Sequence, residues 1–220
     1  MKPAEAEIPY LVTRLVPGRP GVATTEVAAG MGRLLRAVHA LPVEGAGFFK
    51  ESPRLPPLAA EGTWGDQVAG MADRLGPVAA AGILSPALAS RCREFLLDGA
   101  RWDEPCVFAH GDFHLRHVLS AGSGIEAVID WADCAAAPLW LDLARADFGD
   151  ARLRDAMLAG YFPEGVPADA PSRLADHRLL YALLALVWEY EVGGDWLHER
   201  LPGIESALAT APHSAGSPGR

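Results

Sequence analysis

The stretch from His110 to Ser123, HGDFHLRHVLSAGS, holds three of the chain's seven histidines and lies between two strand-like runs, CVFA from Cys106 and GIEAVID ending at Asp130. Polar groups this crowded, directly after an apolar strand, cannot all be buried and satisfied by accident. The chain must therefore build a small β element whose job is to hold this loop in place. On both sides of it the apolar residues recur at helical rather than strand spacing. The expected class is α+β, mostly helical, with the polar loop as the point where chemistry sits.

Thr24 or Thr25 can cap a helix carrying Val27, Met31, Leu34, Leu35 and Val38, which Pro42 stops. A Pro- and Gly-rich connection follows to Gly62. Thr63 then opens a helix marked by Trp64, Val68, Met71 and Leu75. Ser85-Pro86 opens another through Leu88, Cys92, Phe95 and Leu96, ending near Gly99. Beyond the loop, helical patterns cover about Leu139 to Phe162, Ser172 to Tyr190 and Trp196 to Leu208. Tyr10 to Leu15 reads as a strand ended by Pro17-Gly18, and the last residues read as a frayed tail.

Composition narrows the partners. Of the 220 residues 50% are hydrophobic, enough for a real core, and the formal charge of −9 repels phosphate backbones and anionic lipid. Neither a nucleic acid nor a membrane is an expected partner. Cys92, Cys106 and Cys134 are odd in number and far apart, so they read as reduced thiols. Without a signal peptide or an apolar run of membrane length, the expectation is a cytoplasmic protein.

Phosphoryl transfer needs a carboxylate to orient an attacking hydroxyl and ligands to hold magnesium against the nucleotide phosphates. Asp112, His117 five residues later and Asp130 at the end of the next strand can fill these roles in the kinase order. At this point HGDFHLRHVL, AVIDWAD and LWLDLA together resemble the aminoglycoside phosphotransferase and choline kinase-like family, which has a protein-kinase-like fold. The resemblance implies ATP and Mg2+ as cofactors and a hydroxylated small molecule as acceptor, such as an aminoglycoside, a macrolide or a related metabolite. The acidic net charge leans towards a cationic acceptor.

By the same resemblance Asp112 is the catalytic base, and His117 and Asp130 are the metal ligands. His110, His114 and a buried Asp142 support the loop. PYLVTRLVPG looks like the last strand of the N-terminal lobe running into the hinge, with the backbone at Arg14, Leu15 and Val16 meeting adenine. This implies a remnant of that lobe over residues 1–22, a helical C-terminal lobe over 23–207 and a disordered tail over 208–220. His117 stands where the family usually has asparagine, a variant similar to the macrolide phosphotransferase branch.

Two other readings stay open. Lys2 and Lys50 are the only lysines, and neither sits in a strand that could serve a kinase, while Gly45-Ala-Gly47 is a poor phosphate loop. With most of the N-terminal lobe missing, the alternative to an active kinase is an inactive or partner-dependent kinase-like binding protein. The third reading is a metal-dependent hydrolase with His110, Asp112, His114 and His117 on one transition metal. Asp133, Glu189, Glu191 and Asp195 could also form an acidic face for a cationic substrate.

Overall fold

The protein is described by a computed structural model over residues 15–49, 62–122, 124–146 and 148–210. Most of the strand expected over Tyr10–Leu15, with Arg14, Lys2 and Lys50, lies outside the described residues. The elements run β1 (Arg19–Pro20), α1 (Thr25–His39), β2 (Gly47–Phe48), α2 (Trp64–Ala80), α3 (Pro86–Leu96), β3 (Cys106–Ala109), β4 (Val118–Ala121), β5 (Gly124–Val128), β6 (Ala135–Pro138), α4 (Leu139–Arg145), α5 (Ala151–Tyr161), α6 (Ala170–Val192) and α7 (Leu197–Thr210). No helix among the described residues is long and apolar enough to cross a membrane. The α+β class and the helical predominance are as the sequence implies.

Helix starts follow local chemistry. Thr24 and Ser85 accept hydrogen bonds from Val27 N and Leu88 N, and Thr63 forms a reciprocal capping box with Asp66. Differences arise where packing decides. The pattern from Leu139 to Phe162 is two helices, α4 and α5, separated by residues 146–150. Helix α7 runs on to Thr210 with Leu208 buried, so it reaches into the segment expected to be a tail. Strand β4 (VLSA) lies inside the polar stretch and β6 (AAAP) has no β-branched residue, so neither stands out in the sequence.

The strands form two three-stranded antiparallel sheets, ordered β1-β4-β5 and β2-β6-β3. Arg19 and Pro20, expected to go with the N-terminal remnant, pair with Ser120 and Leu119 of β4. Two apolar clusters flank the sheets. One joins α2, α3, α6 and α7 through Met71, Leu75, Leu96, Leu183 and Ile204. The other joins α1, α4 and α5 through Met31, Leu35, Leu143 and Met157, with Phe113 of the polar loop inserted into it.

Helices α1 and α5 approach so closely that a Cβ on Gly32 would collide with Met157 O, and one on Gly160 with Ala29 O. This contact sets His39, at the end of α1, beside Tyr161, at the end of α5.

Candidate active site

Strand β3 ends at Ala109, and the chain turns at once through His110, Gly111 and Asp112. Gly111 has φ +84°, and a Cβ there would run into Asp133 O, so only glycine lets the loop cross the segment after Asp130. Asp142, fully buried on α4, receives both new backbone donors: His110 N at 2.7 Å on Oδ2 and Gly111 N at 2.8 Å on Oδ1. His39 Nε2 lies 3.0 Å from Oδ2, and the Tyr161 hydroxyl 2.8 Å from His39 Nδ1. A buried carboxylate is tolerated because the two amides and His39 converge on it, with Tyr161 holding His39 from behind. Burial first, and then the Asp142 charge, pushes Tyr161 up to about 12, which keeps its hydroxyl protonated.

The loop histidines have fixed roles. Asp112 N donates to His110 Nδ1 at 3.2 Å, and His110 Nε2 donates to Ile129 O at 3.0 Å, which uses both ring nitrogens. His110 also lies against Trp131, ring centroids 4.5 Å apart. Arg116 N donates to His114 Nδ1 at 3.2 Å, and burial followed by the Arg145 charge lowers the His114 pKa to about 4. His114 is therefore neutral at pH 7, with its proton on Nε2. His117 Nδ1 donates to Asp112 O at 2.9 Å. In the neutral ring this bond leaves a lone pair on Nε2, 3.3 Å from Asp130 Oδ2.

Asp130 is the only non-glycine with positive φ among the described residues, at +64°, and its side chain is 56% exposed. A strained backbone that points a carboxylate outward beside an imidazole lone pair suits a bound cation. Asp112, His114 and His117 also come within 4.8 Å of one another in ligand atoms. Four histidine-loop ligands on one transition metal are nevertheless excluded by hydrogen bonding, since His110 has no free lone pair and the lone pair of His114 is taken by Arg116 N.

The structure thus brings Asp112, His117 and Asp130 together over the Asp142-braced loop. Leu15 is exposed, Val16 is half-buried and Arg14 is outside the described residues. The expected acidic face is partly consumed: Glu191 pairs with Arg74 at 2.6 Å, while Glu189 is buried, accepting from Trp196 N at 3.2 Å and facing Arg200 at 3.8 Å.

Sequence reasoning missed two residues at Asp112. Arg145 Nε reaches Asp112 Oδ1 at 2.5 Å, and the Tyr181 hydroxyl donates to the same oxygen at 3.1 Å. Burial alone would raise the Asp112 carboxyl. The hydrogen bond and charge of Arg145, helped by His114 and Tyr181, outweigh burial and hold it below its ordinary value. Burial pushes Tyr181 up to about 12, so it remains a donor. The available signal was the LDLAR spacing, which sets Arg145 one turn after Asp142 on the same helix.

Among solved structures, the macrolide 2'-phosphotransferase of Brachybacterium faecium is 21% identical, with a TM-score of 0.57 over 90% of this chain and 69% of that one. Aminoglycoside phosphotransferase APH(4)-Ia, in its ternary complex with ADP and hygromycin B, is 20% identical with a TM-score of 0.67 over 93% and 72%. The GDP and kanamycin complex of APH(2")-IIia is 13% identical with a TM-score of 0.59 over 85% and 63%. These likenesses establish the kinase-like phosphotransferase fold. A search of curated proteins gives no match. The family model of APH, the phosphotransferase enzyme family, matches residues 2–177 and so takes in the whole of the Asp112 loop, Asp130 and Asp142. The chain belongs to the phosphotransferase enzyme family.

Proposed function

We propose that the chain is an ATP-dependent O-phosphotransferase acting on a hydroxyl of a small molecule, with Asp112 as the catalytic base. The observation that carries this reading is a carboxylate on a doubly braced turn, next to a second carboxylate and an imidazole lone pair held 3.3 Å apart. In the reaction the acceptor oxygen forms a bond to the γ-phosphorus and the bridging P–O bond breaks. ADP leaves with the electron pair, and the hydroxyl proton passes to Asp112. Asp112 need only orient the hydroxyl and take its proton late, so a lowered pKa does not disqualify it.

His117 Nε2 and Asp130 would hold a divalent cation, with the Asp130 carboxylate supplying the oxygen donor that magnesium prefers and the His117 imidazole a second donor beside it. Bound magnesium would neutralise charge on the nucleotide phosphates. The backbone at 14–16 would meet the adenine. The acceptor class, whether aminoglycoside-like, macrolide-like or another hydroxylated metabolite, is left to assay.

The test is calorimetric titration of the 220-residue chain with a non-hydrolysable ATP analogue, with and without Mg2+, alongside Asp130→Ala, followed by an acceptor screen with Asp112→Asn. Support requires magnesium-dependent binding that Asp130→Ala abolishes, and a kcat at least about 100-fold lower in Asp112→Asn. Equal turnover in Asp112→Asn removes the assignment. Absence of nucleotide binding favours the second reading, a kinase-like binding protein that needs a partner.

A further inference from the structure

We infer that Arg145 and Tyr181 are positioning residues that together engage Oδ1 of Asp112 and leave Oδ2 as the oxygen presented to the acceptor hydroxyl. This rests on the reading of Asp112 as the base of a phosphoryl transfer.

The asymmetry of the two oxygens is the starting point. Oδ1 takes the Arg145 Nε hydrogen bond at 2.5 Å and the Tyr181 hydroxyl at 3.1 Å. Oδ2 has His114 Nε2 and His117 Nδ1 each at 3.6 Å, too far for a hydrogen bond, and the proton on His117 Nδ1 is already given to Asp112 O. One oxygen is thus anchored, and the other has both imidazoles beyond hydrogen-bond reach. A hydroxyl approaching this carboxylate finds a single acceptor with a fixed direction.

The two anchors also brace each other. The Arg145 guanidinium carbon lies 4.5 Å from the centre of the Tyr181 ring, so the cation stacks on the aromatic face while its Nε points at the carboxylate. Arg145 is 24% exposed and the Asp112 carboxylate 19%, which shields the pair from water and screening. Both anchors come from helices. Arg145 ends α4, the same seven-residue helix whose Asp142 holds the amides of His110 and Gly111. One short helix therefore fixes the turn by its backbone and the base by its carboxylate. Tyr181 adds a hold from α6, which gives Leu179, Leu180 and Leu183 to one apolar cluster and Ala170 and Leu174 to the other.

A positioned base loses rate rather than affinity when its anchor goes, because displacement of about 1 Å from a productive geometry costs on the order of 100-fold. The experiment measures kcat and KM for Arg145→Met, Arg145→Lys, Tyr181→Phe and the double variant Arg145→Met/Tyr181→Phe. The probes are ATP with Mg2+ and the best acceptor among hygromycin B, kanamycin and a macrolide, with ATP hydrolysis by water as a second acceptor.

The expected result for Arg145→Met is a kcat about 30-fold lower or more, with KM for ATP within about twofold. Arg145→Lys should recover part of that loss by restoring the charge without the fork. Tyr181→Phe should cost several-fold, and the double variant should be no worse than about twofold below Arg145→Met, since both act on one oxygen. Unchanged kcat in Arg145→Met overturns the inference. So does a rise in acceptor KM at constant kcat, which would place Arg145 on the acceptor. If Arg145→Met fails to fold, Arg145→Lys and Tyr181→Phe decide by the same criteria. Asp112→Asn separates the two readings: if it keeps turnover, the base assignment falls, whereas a dead Asp112→Asn beside a fully active Arg145→Met removes only the positioning role.

Discussion

Asp142 shows how one side chain can carry a site it does not touch chemically. Its two oxygens accept the amides of His110 and Gly111 while His39 faces one of them. Asp142→Asn keeps the size but turns an NH2 group towards a backbone N–H, leaving a buried donor without a partner. The expected loss is about 1–3 kcal/mol in urea unfolding, with a fall in kcat as the Asp112 turn relaxes. An unchanged unfolding midpoint would show that the brace is dispensable. The sequence marked Asp142 through the LWLDLA motif. It gave no indication that His39 and Tyr161, from helices far apart in the chain, complete its surroundings.

At the scale of elements, the close contact of α1 with α5 reverses an ordinary rule. Alanine normally stabilises a helix interior over glycine by about 1 kcal/mol. At Gly32 and Gly160 the added methyl would meet backbone of the opposite helix, so the two helices must separate. Gly32→Ala and Gly160→Ala are each expected to destabilise by about 1–3 kcal/mol despite their better propensity. Urea titration checks the sign, and a gain in stability from either would mean that the helices have room to move. Because the contact sets His39 and Tyr161 around Asp142, both variants should also lower turnover. Gly70, on α2, has nothing within 4 Å of its Cβ position and supplies the control: Gly70→Ala should be neutral or stabilising.

Across the whole molecule, an ionic and aromatic group ties the segment Gly99–Trp102 to α6. Arg101 bonds Asp176 at 2.5 Å, Arg173 pairs with Glu104, and the His177 ring meets Trp102 with centroids 5.5 Å apart. Burial pushes the His177 pKa from 6.5 down to about 4, since the folded protein cannot easily solvate its charged form. Between these two pH values the unfolded chain binds a proton that the folded chain refuses. The His177 contribution to stability is therefore full above about pH 6.5 and is lost as the pH falls towards 4, on the order of 3 kcal/mol in all. Unfolding free energies measured from pH 7 to pH 4 should fall more steeply for the native chain than for His177→Gln. Parallel curves would show that this histidine is not the titrating group.

The sequence by itself determined what depends on neighbours along the chain. It set the helix starts at Thr24, Thr63 and Ser85, where a side chain caps the amide three residues on, and the order of the motifs that carry Asp112, Asp130 and Asp142. The need for glycine at 111 comes from the fold, which sets Asp133 O against its Cβ position. The tertiary structure decided the pairing of β6 with β3 and β2, the split between α4 and α5, and the two anchors on Asp112. Arg145 and Tyr181 lie 33 and 69 residues from the carboxylate they hold. Periodicity and capping are local and legible in a single sequence. The meeting of side chains from α4 and α6 on one carboxylate oxygen depends on how two apolar clusters settle against a shared loop, and no local pattern encodes that distance.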